Sequence, residues 1–294
     1  MAGFSLIIMN WKGRKIMTQY QNVLITGASS GIGAAMAKLL AENGYNVWGT
    51  SRKVTGQLPA GISPEAAQRV KFVQLDVTDD SSVQKCYEQV MHEAGHIDVL
   101  INNAGYGIYG AIEDVPIELA KAQFETNVFG TLRMIRAFLP AMRQRGSGLI
   151  INVSSLAGKL VIPFQTHYSA SKHAIEAFTE GLRQEVRPFG IKVAMIEPGD
   201  INTNFNNATQ FSSIEESAYK KWTDASWRTI DVNLQKAPPP EVIARKALKI
   251  IRSKNPATRY PAGDFMSEKF PFLVRFLSDR TKEWAIRLFY NINF

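Results

Sequence analysis

Six short apolar runs punctuate the first two-thirds of the chain, and most lead into a longer stretch with apolar positions at helical spacing. The runs are NVLITG (22–27), YNVWGTS (45–51), VKFVQLDVTD (70–79), IDVLINNAG (97–105), GLIINVSS (148–155) and IKVAMIEPG (191–199). Short, nearly continuous apolar runs rich in β-formers read as strands buried on both faces. Between the first two, GIGAAMAKLLAENG carries Met36, Leu39 and Leu40 on one helical face and stops at Gly44. A helix capped near Thr78 or Asp79 follows the third run. A long helical region is expected from about Ile117 to Arg145, broken only by its caps and a kink at Pro140. A further helix is expected over HYSASKHAIEAFTEGLRQEV (167–186). Strands alternating with helices, without polar alternation along the strands, predict a parallel sheet covered on both faces. Right-handed crossovers make it a doubly wound α/β sheet.

Past Gly199 the pattern changes. Residues 200–240 show weak periodicity, hold Phe205, Phe211, Tyr219, Trp222 and Trp227, and end in APPP. Long irregular segments in compact domains are most often lids or binding loops. EVIARKALKIIRS then reads as an amphipathic helix, ATRYPAG as a terminal strand, and FLVRFLSDRTKEWAIRLFYNINF as a basic, aromatic helical tail. No fixed-period repeat and no Gly/Ser linker divides the chain. The expectation is one domain over 21–265, with a loose extension over 1–20 and a tail over 266–294. In the extension, Phe4 to Met9 is too short to span a bilayer. It has neither a charged lead nor a small-residue cleavage site, so no signal peptide is expected, and Met17 stands as an alternative start.

Composition changes the picture in two places. The formal charge of +8 raises nucleic acid as a partner. Lys and Arg are scattered, however, with no block of five or six, so no nucleic-acid binding is expected. The same balance suits a phosphorylated cofactor. Cys86, the one cysteine, excludes an internal disulfide and fits a reducing cytoplasm.

TGASSGIG (Thr26 to Gly33) lies where the first strand passes into a helix. An open α/β sheet binds dinucleotides there, because the backbone passes close to the pyrophosphate and a helix N-terminus offers free N–H groups. The glycines are Gly27, Gly31 and Gly33, with Ser29, Ser30 and Ile32 between them, a longer first turn than G-x-G-x-x-G. An acidic residue ending the second strand would bind the ribose hydroxyls of NAD. Here Ser51 is followed by Arg52 and Lys53. A guanidinium pairs with a 2′-phosphate and a carboxylate repels it, so NADP(H) is favoured over NAD(H); otherwise Arg52 points to solvent. Asp76, with Val77 beside it, can accept from the adenine amino group, or serve an Asx turn or helix cap. The small residues Asn103, Ala104 and Gly105 let backbone approach the adenosine ribose, and Asn102 can instead hydrogen-bond within the sheet.

These motifs, TGASSGIG, NNAG, NVSS, YSASK and PGDINT in that order and spacing, resemble the short-chain dehydrogenase/reductase superfamily over about Asn22 to Thr203. The nearest branch holds 17β-hydroxysteroid and retinol dehydrogenases and related bacterial enzymes. The resemblance implies a Rossmann-type domain and an oxidoreductase that interconverts an alcohol and a ketone or aldehyde without a metal. Tyr168 and Lys172 lie four apart on one helical face. The neighbouring ammonium is expected to lower the phenol's pKa, so that Tyr168 takes or gives the substrate's proton. By the same resemblance Ser155, thirteen before the tyrosine, binds the substrate oxygen, and Asn127 holds a water next to Lys172. Tyr168 and Lys172 also meet the cofactor. Pro198 and Gly199 turn beneath the nicotinamide, while Ile201 and Thr203 contact its carboxamide. His167, about 100° round the helix from Tyr168, is expected at the rim.

Tyr106, Tyr109, Phe164 and the aromatics of 200–240 are candidates for an apolar pocket or for packing beneath a lid. A bulky apolar carbonyl, such as a steroid, retinoid or long-chain compound, is the expected substrate. A reductase of small polar carbonyls and an NADP-binding sensor with little turnover are the other readings. The tail is either a peripheral membrane helix or a helix packed over the pocket or between subunits, with packing favoured. The resemblance further implies a homodimer or homotetramer joined by the helices carrying Asn127 and Tyr168. A cytoplasmic location is expected, with or without peripheral membrane contact.

Overall fold

In the computed structural model, residues 7–9, 15–17, 20–54, 58–203, 205, 209–212, 217–264, 267–269 and 276–292 are described. Strands β1 (Ile7–Met9) and β2 (Lys15–Met17) pair antiparallel, so the segment expected to be loose contains a hairpin. The central sheet is built from β3 (Asn22–Ile25), β4 (Asn46–Ser51), β5 (Val70–Gln74), β6 (Val99–Asn102), β8 (Gly148–Val153), β9 (Ile191–Pro198) and β11 (Arg259–Ala262). Its order is β11-β9-β8-β6-β3-β4-β5, and every pairing is parallel. The expected doubly wound sheet is therefore present, with the terminal strand at its edge.

The apolar runs explain the two layers. Val23 and Ile25 pack with Met36 and Leu40 of α1 (Gly31–Glu42) and with Ile243 and Ile250 of α8 (Glu241–Ile251). Leu24 between them packs on the opposite face with Val83 of α3 (Asp80–Ala94) and Phe138 of α5 (Gly130–Arg145). One strand thus anchors both cores through the period-two alternation of its side chains. A short α2 (Pro64–Ala67) precedes β5.

The chain runs outward from β3 to β4 and β5, then returns to place β6 on the other side of β3. The connections leaving β3 and β6 therefore run to opposite sides of the sheet, the switch point at whose carboxyl edge such folds bind ligands.

Two elements differ from the sequence expectation. The long helix is α4 (Ile117–Phe124), a π-helical turn (Glu125–Phe129), then α5, which continues through Pro140. Its interruption therefore falls at Asn127 and not at the proline. Residues 200–240 are not wholly irregular: they contain β10 (Gln210–Phe211) and the 17-residue α7 (Lys220–Lys236). Strand β10 pairs in parallel with β7 (Ile108–Tyr109), latching this segment to the chain that follows β6. Helix α6 (Thr166–Glu185) carries the Tyr–Lys pair, and α9 (Asp279–Phe289) lies in the tail. Residues 266, 270–275, 293 and 294 of that tail lie outside the described residues.

Candidate active site

The glycine-rich turn closes where only glycine fits. Gly27 and Gly31 have φ of +65° and +54°, a region that disfavours side chains. A Cβ on Gly33 would come within 2.2 Å of the Gly27 carbonyl oxygen, so α1 could not pack against the turn with any larger residue. Ser30 flanks α1 without capping it, and Ser29 and Ser30 are exposed. The first turn of α1, with Gly31, Ile32 and Gly33, therefore offers N–H groups that no capping side chain satisfies, a natural anion site.

Asn103 stitches the ends of β3 and β6 together. Its backbone N–H donates to the Thr26 hydroxyl (2.9 Å), and its side-chain amide donates to the carbonyls of Thr26 (3.0 Å) and Gly27 (3.1 Å). The Ala104 N–H also reaches the Thr26 hydroxyl, at 3.0 Å. Asn102 turns the other way and donates to the Asn152 side chain within the sheet.

At the end of β4, the Ser51 hydroxyl donates to the Lys53 carbonyl, and the side chains of Arg52 and Lys53 are exposed. Burial raises the Tyr106 phenol, and the Arg52 guanidinium opposes that rise. Asp76 forms the Asx turn, its Oδ1 accepting from the Thr78 N–H (2.9 Å) and hydroxyl (2.7 Å). Val77 is buried and closes against Gly130, where a Cβ would lie 2.6 Å from Val77 Cγ2. On the opposite side, Pro198 ends β9, Gly199 donates to the Ala262 carbonyl, and Ile201 is buried. Thr203 reaches back to the glycine turn: its Cβ lies 3.5 Å from where a Gly31 Cβ would stand. Both ends of the expected cofactor path thus meet at the glycine turn.

Tyr168, Lys172 and Ser155 come together where β8 and α6 meet. Lys172 is buried and donates to the Val153 carbonyl at 2.9 Å, with Nζ 5.6 Å from the centre of the Tyr168 ring. Ser155 caps the turn Leu156–Gly158, accepting from the Ala157 N–H, and its hydroxyl reaches the Pro198 carbonyl (3.4 Å). It also hydrogen-bonds the Tyr168 phenol. Ser154 is buried and donates instead to Glu176, which separates the roles of the two adjacent serines.

The expected lowering of the Tyr168 pKa is not what the protein alone provides. Burial pushes the phenol up to about 12, and only the Ser155 hydrogen bond works against it. Burial also pulls Lys172 down to about 8, which weakens the ammonium expected to do the lowering. Tyr168 therefore holds its proton at neutral pH. His167 is half-buried beside it and is pulled down by burial.

Asn127 sits in the π-helical turn, and its side chain clamps the backbone of Tyr106. Oδ1 accepts from the Tyr106 N–H, while Nδ2 donates to the Tyr106 carbonyl (3.0 Å) and the Ser171 hydroxyl (3.1 Å). Gly105 must lack a side chain here, since a Cβ would lie 2.9 Å from Asn127 Oδ1. Gln123, fully buried four residues earlier, adds a bond to the Tyr106 carbonyl. Sequence reading missed both Gln123 and Ser171. The signal for Gln123 was a second polar residue four positions before Asn127 in a helical pattern.

The aromatic residues divide. Phe205 lies on the Tyr168 ring, 5.7 Å between centres. Tyr109 is buried at the heart of a cluster with Phe164, Phe211 and Trp227, and its hydroxyl donates to the Thr223 carbonyl (2.7 Å). It is a packing residue, so the lid segment is held down by aromatic contacts rather than lined by them. Phe164 joins this cluster and Tyr219 from a left-handed backbone, φ 62°.

The model of the short chain dehydrogenase family matches residues 21–213. The chain belongs to that family. As a short-chain dehydrogenase it is an oxidoreductase of the alcohol–carbonyl kind. It is 40% identical to the 3-ketodihydrosphingosine reductase of Bacteroides thetaiotaomicron over 276 residues, covering 93% of this chain and 99% of that one. A short-chain dehydrogenase structure from Streptomyces avermitilis superposes with a TM-score of 0.76 at 32% identity, covering 91% of this chain and 96% of that one. The structure of ElxO with NADP bound has a TM-score of 0.67 at 26% identity, covering 82% and 96% respectively.

Proposed function

We propose that this protein reduces the keto group of a long-chain, apolar carbonyl compound of the 3-ketodihydrosphingosine kind, with NADPH as the reductant. The observation that carries this reading is Tyr168, a phenol held protonated by burial, beside Ser155 and Lys172 where β8 and α6 meet. A protonated phenol is the form that donates to a carbonyl oxygen during reduction. The apolar substrate follows from the Phe205 ring that packs against Tyr168. The near full-length likeness to a reductase of a long-chain ketone supports the same class.

In this reading the α1 N-terminus and the turn Gly27–Gly33 hold the pyrophosphate, and Arg52 the 2′-phosphate. Asp76 and Val77 border the adenine; Asn103, Ala104 and Gly105 border its ribose. Pro198, Gly199, Ile201 and Thr203 border the nicotinamide, with Tyr168 and Lys172 beside its ribose. When bound, the cofactor supplies a hydride to the carbonyl carbon. The carbonyl oxygen sits between Ser155 and Tyr168, and the electron pair it gains takes the phenolic proton. Lys172 stabilises the phenolate left behind, and Asn127 keeps the Tyr106 backbone and Ser171 in register with α6. A panel of ketones with NADPH tests the assignment. Turnover is expected with 3-ketodihydrosphingosine and related long-chain ketones, whereas activity confined to small sugars or hydroxy acids would sink it.

The tail belongs to the same site in this proposal. Burial pushes the Tyr290 phenol up, with Asp200 and Tyr109 adding to the rise, and Ile292 is buried, so the end of α9 lies against the cleft. Among the described residues no helix is long and apolar enough to cross a membrane, and Trp284, Leu288 and Phe289 of α9 are exposed. Removing residues 276–294 is expected to raise KM for a long-chain ketone by roughly tenfold, the worth of one large apolar contact, with KM for NADPH unchanged. Liposome co-sedimentation of both forms separates this covering role from membrane docking, which would lose binding on truncation. The exposed Phe129 and Phe178, on the helices carrying Asn127 and Tyr168, support the expected pairing of subunits there.

A further inference from the structure

Behind the Tyr168 site lies a buried ionic cluster that the proposed reaction does not use. Glu176 of α6 and Glu197 of β9 are 4% and 1% exposed. Both accept from Arg259 of β11, Glu197 at 2.8 Å, and Glu180 accepts from the other nitrogen of the same guanidinium. Lys159 Nζ stands 3.4 Å from Glu176 and 3.8 Å from Glu197. Three carboxylates thus share two cations, and burial pushes the Glu197 carboxyl up with Lys159 opposing. Buried charges persist only when their partners and geometry are fixed, so such a cluster is stiff.

Glu176, Glu197 and Lys159, and the Ser154 bonded to the first of them, each adjoin a piece of the candidate site. Ser154, whose hydroxyl donates to Glu176 Oε1 at 2.8 Å, precedes Ser155. Glu176 lies one helical turn beyond Lys172 on the same face of α6. Glu197 precedes Pro198, whose carbonyl accepts the Ser155 hydroxyl. Lys159 follows the turn that Ser155 caps. The turn is closed down on the carboxylate: a Cβ on Gly158 would lie 2.7 Å from Ser154 Oγ and 3.0 Å from Glu176 Oε1.

We propose that Glu176 is a positioning residue, which through Ser154 and Arg259 fixes the Ser155 hydroxyl against Tyr168. It rests on the function proposed above. Glu176 touches no reacting atom. It ties the serine turn, the lysine helix and the Pro198 turn to one charged knot from the side away from the substrate.

Ser154→Ala tests this with the least disturbance, removing one hydroxyl and leaving the ion pairs intact. The expected result is a loss of kcat of about ten- to a hundredfold, in line with small misplacements of a reacting group, with KM for NADPH unchanged. A second signature is specific to positioning. The Ser155 hydrogen bond favours the ionised phenol, so alcohol oxidation with NADP⁺ should rise at higher pH in Ser154→Ala than in the wild type. Ser154→Thr, which keeps the hydroxyl, should restore both readouts. Glu180→Gln, at the exposed end of the cluster, should leave kcat within about twofold. If Ser154→Ala cannot be recovered folded, Ser154→Cys, of similar volume and a weak donor, reads the same bond. Wild-type turnover with an unaltered kcat and pH profile in the Ser154 variants overturns the positioning role alone. Wild-type protein without turnover on any carbonyl overturns the proposed function and this role with it.

Discussion

Tyr168→Phe is expected to bind NADPH as the wild type does and to lose roughly 10³-fold in kcat/KM for a long-chain ketone. That loss corresponds to about 4 kcal/mol of transition-state stabilisation. The substitution removes one oxygen from a ring already packed on Phe205, and the ring keeps that contact. What disappears is the proton donor that Ser155 touches and burial keeps protonated, up to about 12. The pH dependence gives the assignment a second edge. Lys172, pulled down to about 8 by burial, is charged below that pH and neutral above it. The ammonium that steadies the forming phenolate is therefore present at neutral pH and lost as pH rises, so reduction should decline on the alkaline side of about 8. In Tyr168→Phe no phenolate forms, and the residual rate should lack this decline. Steady-state kinetics between neutral and alkaline pH, with NADPH binding followed by fluorescence, measure both. A variant that keeps full activity would remove Tyr168 from the chemistry.

The central sheet was legible because its strands are buried on both faces, so their apolar runs needed no partner to be recognised. Where the pattern failed, a polar residue stood in a buried position. Helix α7 presents Trp222, Ser226, Ile230 and Leu234 at intervals of four, but Ser226, fully buried, breaks the apolar stripe. The π-helical turn shifts backbone bonding by one residue and leaves composition untouched, so nothing in the sequence separated it from a continuous helix. Within the site, types and spacing pointed to Tyr168, Lys172 and the glycine turn. They did not carry burial, which raises the Tyr168 phenol and weakens the Lys172 ammonium expected to lower it. Glu176 shows the same limit. A glutamate on a helix reads as solvated, and only the arrival of Arg259 from a strand 83 residues later makes it a buried partner.

Arg52→Asp is expected to invert cofactor choice, raising KM for NADPH by roughly 10²-fold while leaving NADH turnover equal or improved. A charge-assisted pair with a phosphate contributes about 1.5–3 kcal/mol, and a carboxylate in its place adds repulsion, which together account for that factor. The position is suited to the test. The Arg52 side chain is exposed, and the bond that fixes the local backbone runs from Gln74 to the Arg52 carbonyl, which the substitution retains. Stability should therefore hold, and any change in KM reads recognition. Ser51 does not compensate, because its hydroxyl is spent on the Lys53 carbonyl. Lys53 remains as a second exposed cation, and the double variant Arg52→Asp with Lys53→Ala should deepen the loss with NADPH alone. The new carboxylate would stand at the end of β4, where a dinucleotide fold places the acid that binds the ribose hydroxyls of NAD. Kinetics with both cofactors at one ketone concentration decide it. A variant that still prefers NADPH would place the 2′-phosphate on groups other than Arg52.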